Sequence, residues 1–176
     1  MLTSQVIDTP VGTMTAIVSD RGLVLFEFSG PRRLPGQLAR VHALFGETPE
    51  AGEHAFLNQT RAELDEYFAG RREEFTLPLV VTGTPFQESV WHELLRIPFG
   101  NTSSYEQIAK RIGRPGAARA VGRANGDNRI AIIIPCHRVI GSNGSLTGYG
   151  GGESNKRWLL DHEQRGATQM SLPSLR

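Results

Sequence analysis

A single cysteine, Cys136, is the only thiol among the 176 residues. One thiol cannot close an internal disulfide, and it excludes a zinc site built mainly from cysteine. A reducing, cytosolic setting is the simplest expectation. Long apolar runs are also missing: none approaches the ~18 residues that a membrane span needs. The opening MLTSQVIDTPVG lacks a basic start followed by an apolar segment, so no secretory leader is expected. There is no internal repeat and no low-complexity tract. Charge of one sign is scarce as a total, with a formal net charge of +1. With 39% hydrophobic and 21% charged residues, a packed core is expected rather than disorder, in one ordinary domain or two small ones.

The charge that is present is unevenly spread. Glu47 to Phe75 holds eight acids against Arg61, Arg71 and Arg72. Lys110 to Arg138 holds seven bases against Asp127 alone, and this basic stretch surrounds the cysteine. It is either a solvated basic face or a surface for an anionic partner such as nucleic acid.

The first 30 residues read as a β-meander, SQVIDT, TMTAIVSD and LVLFEFS, separated by glycine-containing turns. PRRLPGQ reads as a loop, followed by a short helix carrying Leu38, Val41, Leu44 and Phe45. A longer helix is expected over 53–69, stopped by Gly70. FTLPLVV is an edge strand at best, because of Pro78. Thr84, Pro85 and Gln87 form an N-cap and capping box for the next helix, which aligns Phe86, Val90, Trp91 and Leu94. SSYEQIAKRIG offers a second box, Ser103 with Glu106, and a stripe of Tyr105, Ile108, Ala109 and Ile112. A third helix follows Pro115. Helix, short glycine-containing turn, helix is the helix-turn-helix pattern.

That third helix is mostly glycine and alanine apart from Arg119 and Arg123, which share a face. Small residues permit close approach to another surface, and Ala120, Val121 and Ala124 can face inward. Tight helix packing is the plainer account. RIAIIIP reads as a buried strand delivering Cys136 to its end. A turn at Asn143-Gly144, a glycine-rich loop and a last helix over SNKRWLLDHE follow, then a loose tail over 166–176.

Proline before Cys136 ends strand pairing, and His137 and Arg138 follow it. Cationic neighbours lower a thiol pKa and raise the thiolate fraction. In an extended chain His137 points away from the sulfur, so it acts as a base only through a local twist or a bridging water. Glu163 is the candidate carboxylate to orient it. The plain alternatives are a buried structural cysteine and a solvated acid at a helix end.

PCHRVIG, the upstream RAVGRANGDN and the downstream TGYGGG and KRWLLDHE together resemble the O6-alkylguanine-DNA alkyltransferases, the methylated-DNA–protein-cysteine methyltransferases of direct-reversal DNA repair. The match is clear from about Thr84 to Glu163 and weaker in TPVGTMTAIVSDRGL. It implies an α+β fold. A small N-terminal domain with an antiparallel, ribonuclease H-like sheet (1–82) precedes a C-terminal winged-helix-like domain with the helix-turn-helix (83–165). It implies that Cys136 accepts the alkyl group, His137 is the water-linked base, Glu163 polarises it and Asn128 braces the turn. Arg119 resembles the finger that replaces the flipped guanine, with Ala120, Gly122 and Arg123 on the DNA face. Tyr105 resembles the residue that rotates the nucleotide and donates to guanine N3. Val139, Tyr149, Gly150, Asn125 and Ala131 are expected around the base.

By the same resemblance the partner is duplex DNA, met through the minor groove, carrying O6-alkylguanine and extending to O4-alkylthymine. The product thioether resists water, so one molecule repairs one lesion. No cofactor, metal or membrane is implied. The expected state is a cytoplasmic monomer, with cooperative loading along DNA left open. Relatives with N-terminal zinc ligands or a Cys-rich sensor module depart from this chain, which has no second cysteine. Two rival readings stand beside this one: a helix-turn-helix regulator with a redox thiol, and a Cys-His hydrolase that turns over.

Overall fold

The computed structural model describes residues 1–171. The chain divides into two compact units, Met1–Thr82 with Arg129–Ile133, and Gly83–Asn128 with Ile134–Arg176.

In the first unit, β1 (Thr3–Thr9), β2 (Gly12–Ser19) and β3 (Gly22–Phe28) form the antiparallel meander. A two-residue strand, β4 (Glu50–Ala51), adds parallel to β1, giving the order β3-β2-β1-β4. Ile17 and Leu25 are cross-strand partners and share one apolar cluster with Leu2, Val24, Val41 and Val80. Helix α1 (Leu34–Phe45) supplies Val41. It starts inside the expected loop, because Pro35 is tolerated in a first turn where its missing N–H is not needed. Leu44, expected on the buried face, is half exposed. Helix α2 (Ala55–Phe68) is capped by His54, whose ring accepts from the Phe56 N–H at 3.1 Å.

Two expected strands are not strands. In FTLPLVV only Leu79 bridges, to Leu23, held by Leu23 N–H to Pro78 O and Val80 N–H to Leu23 O. Pro78 has no N–H to extend a ladder. A Cβ at Gly22 would lie 2.3 Å from Pro78 O, so only glycine admits this approach. RIAIIIP is buried as its composition demands, but only Ile130 bridges, to Phe26. The chain then turns, with Ile133 N–H bonded to Ala131 O and Ile132 at φ 70°. A left-handed backbone at a β-branched residue is strained and is held only by its surroundings. A short apolar run announces burial but does not distinguish strand from turn.

The second unit begins with α3 (Pro85–Leu94), closed by the expected Thr84–Gln87 capping box. Thr84→Ala should cost about 1 kcal/mol in urea unfolding; no change in midpoint would mean that the box does not stabilise the fold. Helix α4 (Tyr105–Arg111) is capped one residue later than expected, by Ser104 with Gln107. Ser103 is committed to β5 (Ser103–Ser104), which pairs parallel with β6 (Val139–Ile140). Glu106 instead accepts from the Gly116 N–H, pinning the turn between α4 and α5 (Ala118–Gly126). The buried Trp91 indole donates to Ala124 O at 2.7 Å, tying α3 to α5.

The last helix, α6, runs over Glu153–Ser171. The expected loose tail is thus helical through 171, and 172–176 lie outside the described residues. Gly166 is buried, and a Cβ there would stand 3.0 Å from the Phe99 ring. A Cβ at Gly100 would meet Ala167 at 2.7 Å. Close packing against the 99–100 turn carries the helix onward despite the glycine.

Candidate active site

Cys136 does not end a strand. It opens one turn of 3-10 helix, Cys136–Arg138, after Pro135, and is 5% exposed. Tight helical geometry removes the opposition of Cys136 and His137 that an extended chain would impose. Side chains hold this turn by its carbonyls. The Asn128 amide donates to Ile134 O at 3.0 Å, and Asn125 from α5 donates to Cys136 O at 3.3 Å. Lys156 from α6 donates its ammonium to Val139 O. All three are buried, as is Val139.

Beside the thiol, His137 Nε2 lies 2.7 Å from Glu163 Oε1, both fully buried. Arg138 grips the same carboxylate twice, Nε to Oε2 at 2.8 Å and a terminal N–H to Oε1 at 2.9 Å. Its other terminal nitrogen donates to Ile97 O at 2.6 Å, and the guanidinium stands 5.9 Å above the Phe99 ring centre. Burial alone would push Glu163 up, but His137 and Arg138 overcome it and hold the carboxyl far below the usual range. Burial pushes His137 down against the pull of Glu163, so the imidazole is neutral. An ionised Glu163 requires a donor, which assigns the proton to Nε2 and leaves the lone pair on Nδ1. Nδ1 is buried and meets no protein partner among the described residues, which leaves it available as a proton acceptor.

The sign of the pH dependence follows. Both folded pKa values lie below their ordinary ones, so the unfolded chain binds these protons first. Stability from His137 is complete above its ordinary 6.5 and is lost as pH falls below it. Glu163 adds a further loss below 4.5. Denaturant midpoints at pH 7.5, 6, 5 and 4 should fall in that order; a flat profile would refute the assignment.

The second set of predicted residues lies on the helix-turn-helix. Arg119, Ala120 and Arg123 are exposed, whereas Val121 and Ala124 are buried. Ala120 thus does not face inward. Tyr105, first residue of α4, is half-buried; burial and the Cys136 charge both raise its phenol pKa. A Cβ at Gly122 would touch its ring at 3.8 Å, and one at Gly148 would lie 3.9 Å from its hydroxyl. The ring therefore fills a slot between α5 and the glycine-rich loop. Tyr149 is half-buried and Gly150 exposed on that loop. Ala131 is buried and groups with the first unit, where its N–H bonds Phe26 O.

Arg138 is expected as a cation tuning the thiol, but its charge is engaged by Glu163. Nothing in the sequence marks Lys156 except its place seven residues before Glu163, two turns along the same face of α6. Among the described residues no group of histidine, cysteine and acids could hold a metal ion, and no helix is long and apolar enough to cross a membrane.

A thiol in a braced turn, a neutral histidine held by a carboxylate, and an exposed arginine pair on a helix-turn-helix define a DNA-directed protein that reacts through sulfur. Residues 85–165 match the model of the 6-O-methylguanine DNA methyltransferase DNA-binding domain, and 2–81 match that of its ribonuclease-like domain. The Mycobacterium tuberculosis methylated-DNA–protein-cysteine methyltransferase is 48% identical over 167 residues, 93% of each chain. The crystal structure of the M. tuberculosis O6-methylguanine methyltransferase superposes with a TM-score of 0.83 at 43% identity, covering 99% of this chain and 96% of that one. One of the M. tuberculosis protein in complex with DNA gives 0.81 at 43% identity, covering 93% and 94%. This chain belongs to the 6-O-methylguanine DNA methyltransferase family. Its activity is DNA repair by transfer of an alkyl group to a protein cysteine.

Proposed function

We propose that Cys136 Sγ is the acceptor and O6-alkylguanine in duplex DNA the donor, with O4-alkylthymine as a secondary substrate. The observation that carries this is that Cys136 is the only cysteine of the chain and sits beside a histidine–carboxylate pair. His137 Nδ1 receives the thiol proton, directly or through one water. The thiolate attacks the alkyl carbon: the S–C bond forms, the C–O6 bond breaks, and the electron pair leaves on the base. Tyr105, kept protonated by burial, donates to the departing guanine anion and lowers the barrier. The product is a thioether and unmodified guanine, so each protein reacts once.

O6 is out of reach inside a duplex, so the base is extruded. The exposed Arg119 fills the gap, and the glycine–alanine face of α5 enters the minor groove, with Arg123 on phosphate. Residues 83–128 and 134–165 make up the DNA-binding and alkyl-acceptor domain, and a monomer suffices. Tyr149, Gly150 and the Val139 carbonyl border the flipped base. Arg119→Ala should slow repair of duplex DNA by about tenfold or more, the scale of lost stacking, while leaving transfer from free O6-benzylguanine near wild type. Equal losses on both substrates would rule out the finger. For the acceptor, the test is intact mass after incubation with duplex DNA holding one O6-methylguanine, then peptide mapping. One methyl on the Cys136 peptide, never two per protein, is expected; product beyond one equivalent without an adduct would overturn the reading.

A further inference from the structure

Two buried acceptors beside the Cys136 turn, His137 Nδ1 and Asn125 Oδ1, meet no protein partner among the described residues. Proton transfer from the thiol gives the first its use and leaves the second without one. An unpaired buried acceptor is unfavourable, so such an atom marks a place where a donor arrives. Asn125 is 3% exposed and lies on the buried face of α5 with Val121 and Ala124. Its orientation is decided by its partner. The amide nitrogen stands 3.3 Å from Cys136 O, and a carbonyl oxygen only accepts, so the NH₂ end faces it and Oδ1 is turned away from it. Gly122, three residues earlier, shares that side of α5, and a Cβ there would touch the Tyr105 ring. The amide thus belongs to the wall that joins the Tyr105 slot to the thiol turn.

An alkylated base brings few donors to that wall. Alkylation at O6 removes the N1 proton of guanine, and the exocyclic N2 amine is the only base donor left. Alkylation at O4 removes the N3 proton of thymine and leaves none. We propose that Asn125 Oδ1 accepts a hydrogen bond from the N2 amine of the extruded guanine, which makes Asn125 a specificity-determining residue. Its two ends then have separate tasks: the NH₂ end braces the thiol turn, and the oxygen end selects the base. A base with the amine satisfies the buried oxygen, whereas a base without it leaves that oxygen unpaired through the reaction, and a site built around a hydrogen bond rejects such an analogue. O4-alkylthymine is the poorer substrate for this reason. The inference rests on the reading of Cys136 as acceptor and of guanine as the donor base.

The test is single-turnover transfer from duplexes holding O6-methylguanine or O6-methylhypoxanthine, which differ only in the amine, by wild type and by Asn125→Leu. Leucine keeps the branched shape of asparagine and has neither donor nor acceptor. Wild type should react faster with the guanine by about tenfold or more, and this preference should shrink by about fivefold or more in the variant. An amide that only braces the turn would slow both substrates alike on substitution and leave the ratio of their rates unchanged. The same ratio in both proteins would therefore overturn the proposal. So would a wild-type protein without the preference, a comparison that needs no variant to fold. If neither duplex methylates Cys136 in wild type, the acceptor reading itself fails and this inference falls with it; if both do and the ratio does not move, the acceptor reading stands and only the role of Asn125 is lost.

Discussion

Cys136→Ser is expected to keep the fold and DNA binding and to lose alkyl transfer, by on the order of 10⁴-fold or more, the scale seen when an enzyme loses its nucleophile. The reason is chemical. A serine hydroxyl is hardly ionised near neutral pH, and proton acceptance by His137 does not build up an alkoxide population from it. The structural cost is small by comparison. The hydroxyl replaces a nearly buried thiol and needs one hydrogen bond, about 1–2 kcal/mol if it is unmet. The braces of the turn involve backbone carbonyls, which the change leaves in place. Intact mass after incubation with O6-methylguanine duplex, alongside a gel-shift titration, checks both halves. A methyl adduct on the serine protein at a comparable rate would place the acceptor elsewhere.

Glu163→Ala should produce the largest stability loss of any single substitution at the site, about 3–5 kcal/mol, because it strands the buried Arg138 cation. That is a large part of the 5–15 kcal/mol by which domains are typically stable. Glu163→Gln separates structure from chemistry. Its amide oxygen can accept from Arg138, but its NH₂ faces His137 Nε2 or the guanidinium as a donor. The histidine then turns to the other tautomer, with its proton on Nδ1 and no lone pair available there. Transfer should fall by about 10²-fold or more, with a smaller loss of stability than in the alanine variant. Arg138→Met combined with Glu163→Leu should recover much of the stability of Glu163→Ala, since no charge is left unpaired, without recovering activity. Urea unfolding and single-turnover rates measure the two effects. Wild-type transfer by Glu163→Gln would remove the carboxylate from the mechanism.

Much of the architecture is local and was legible in the chain. The meander follows from two-residue alternation broken by glycine turns, and the Thr84–Gln87 box from its own four residues. Local pattern is insufficient where distant partners decide. Ser103 has the chemistry of a cap, but it is buried in pairing with Val139 and the helix starts at Tyr105, capped by Ser104 with Gln107. Gly166 has the look of a helix end, but Phe99 packs against it and the helix continues. Four isoleucines in seven residues suggested a strand, and burial is all that they required.

By itself the sequence determined the chemistry available to this protein. One thiol, a histidine next to it, a carboxylate 26 residues on and a basic glycine–alanine helix restrict the reaction and the partner. Those choices are written in residue type, and residue type is local. Tertiary structure alone decided the electrostatics. It buried His137 and lowered its pKa, engaged Arg138 with Glu163, and set the Lys156 ammonium on the Val139 carbonyl. Protonation depends on what surrounds a group and on how little water reaches it, and both are set only when α5, α6 and the Cys136 turn close on one another.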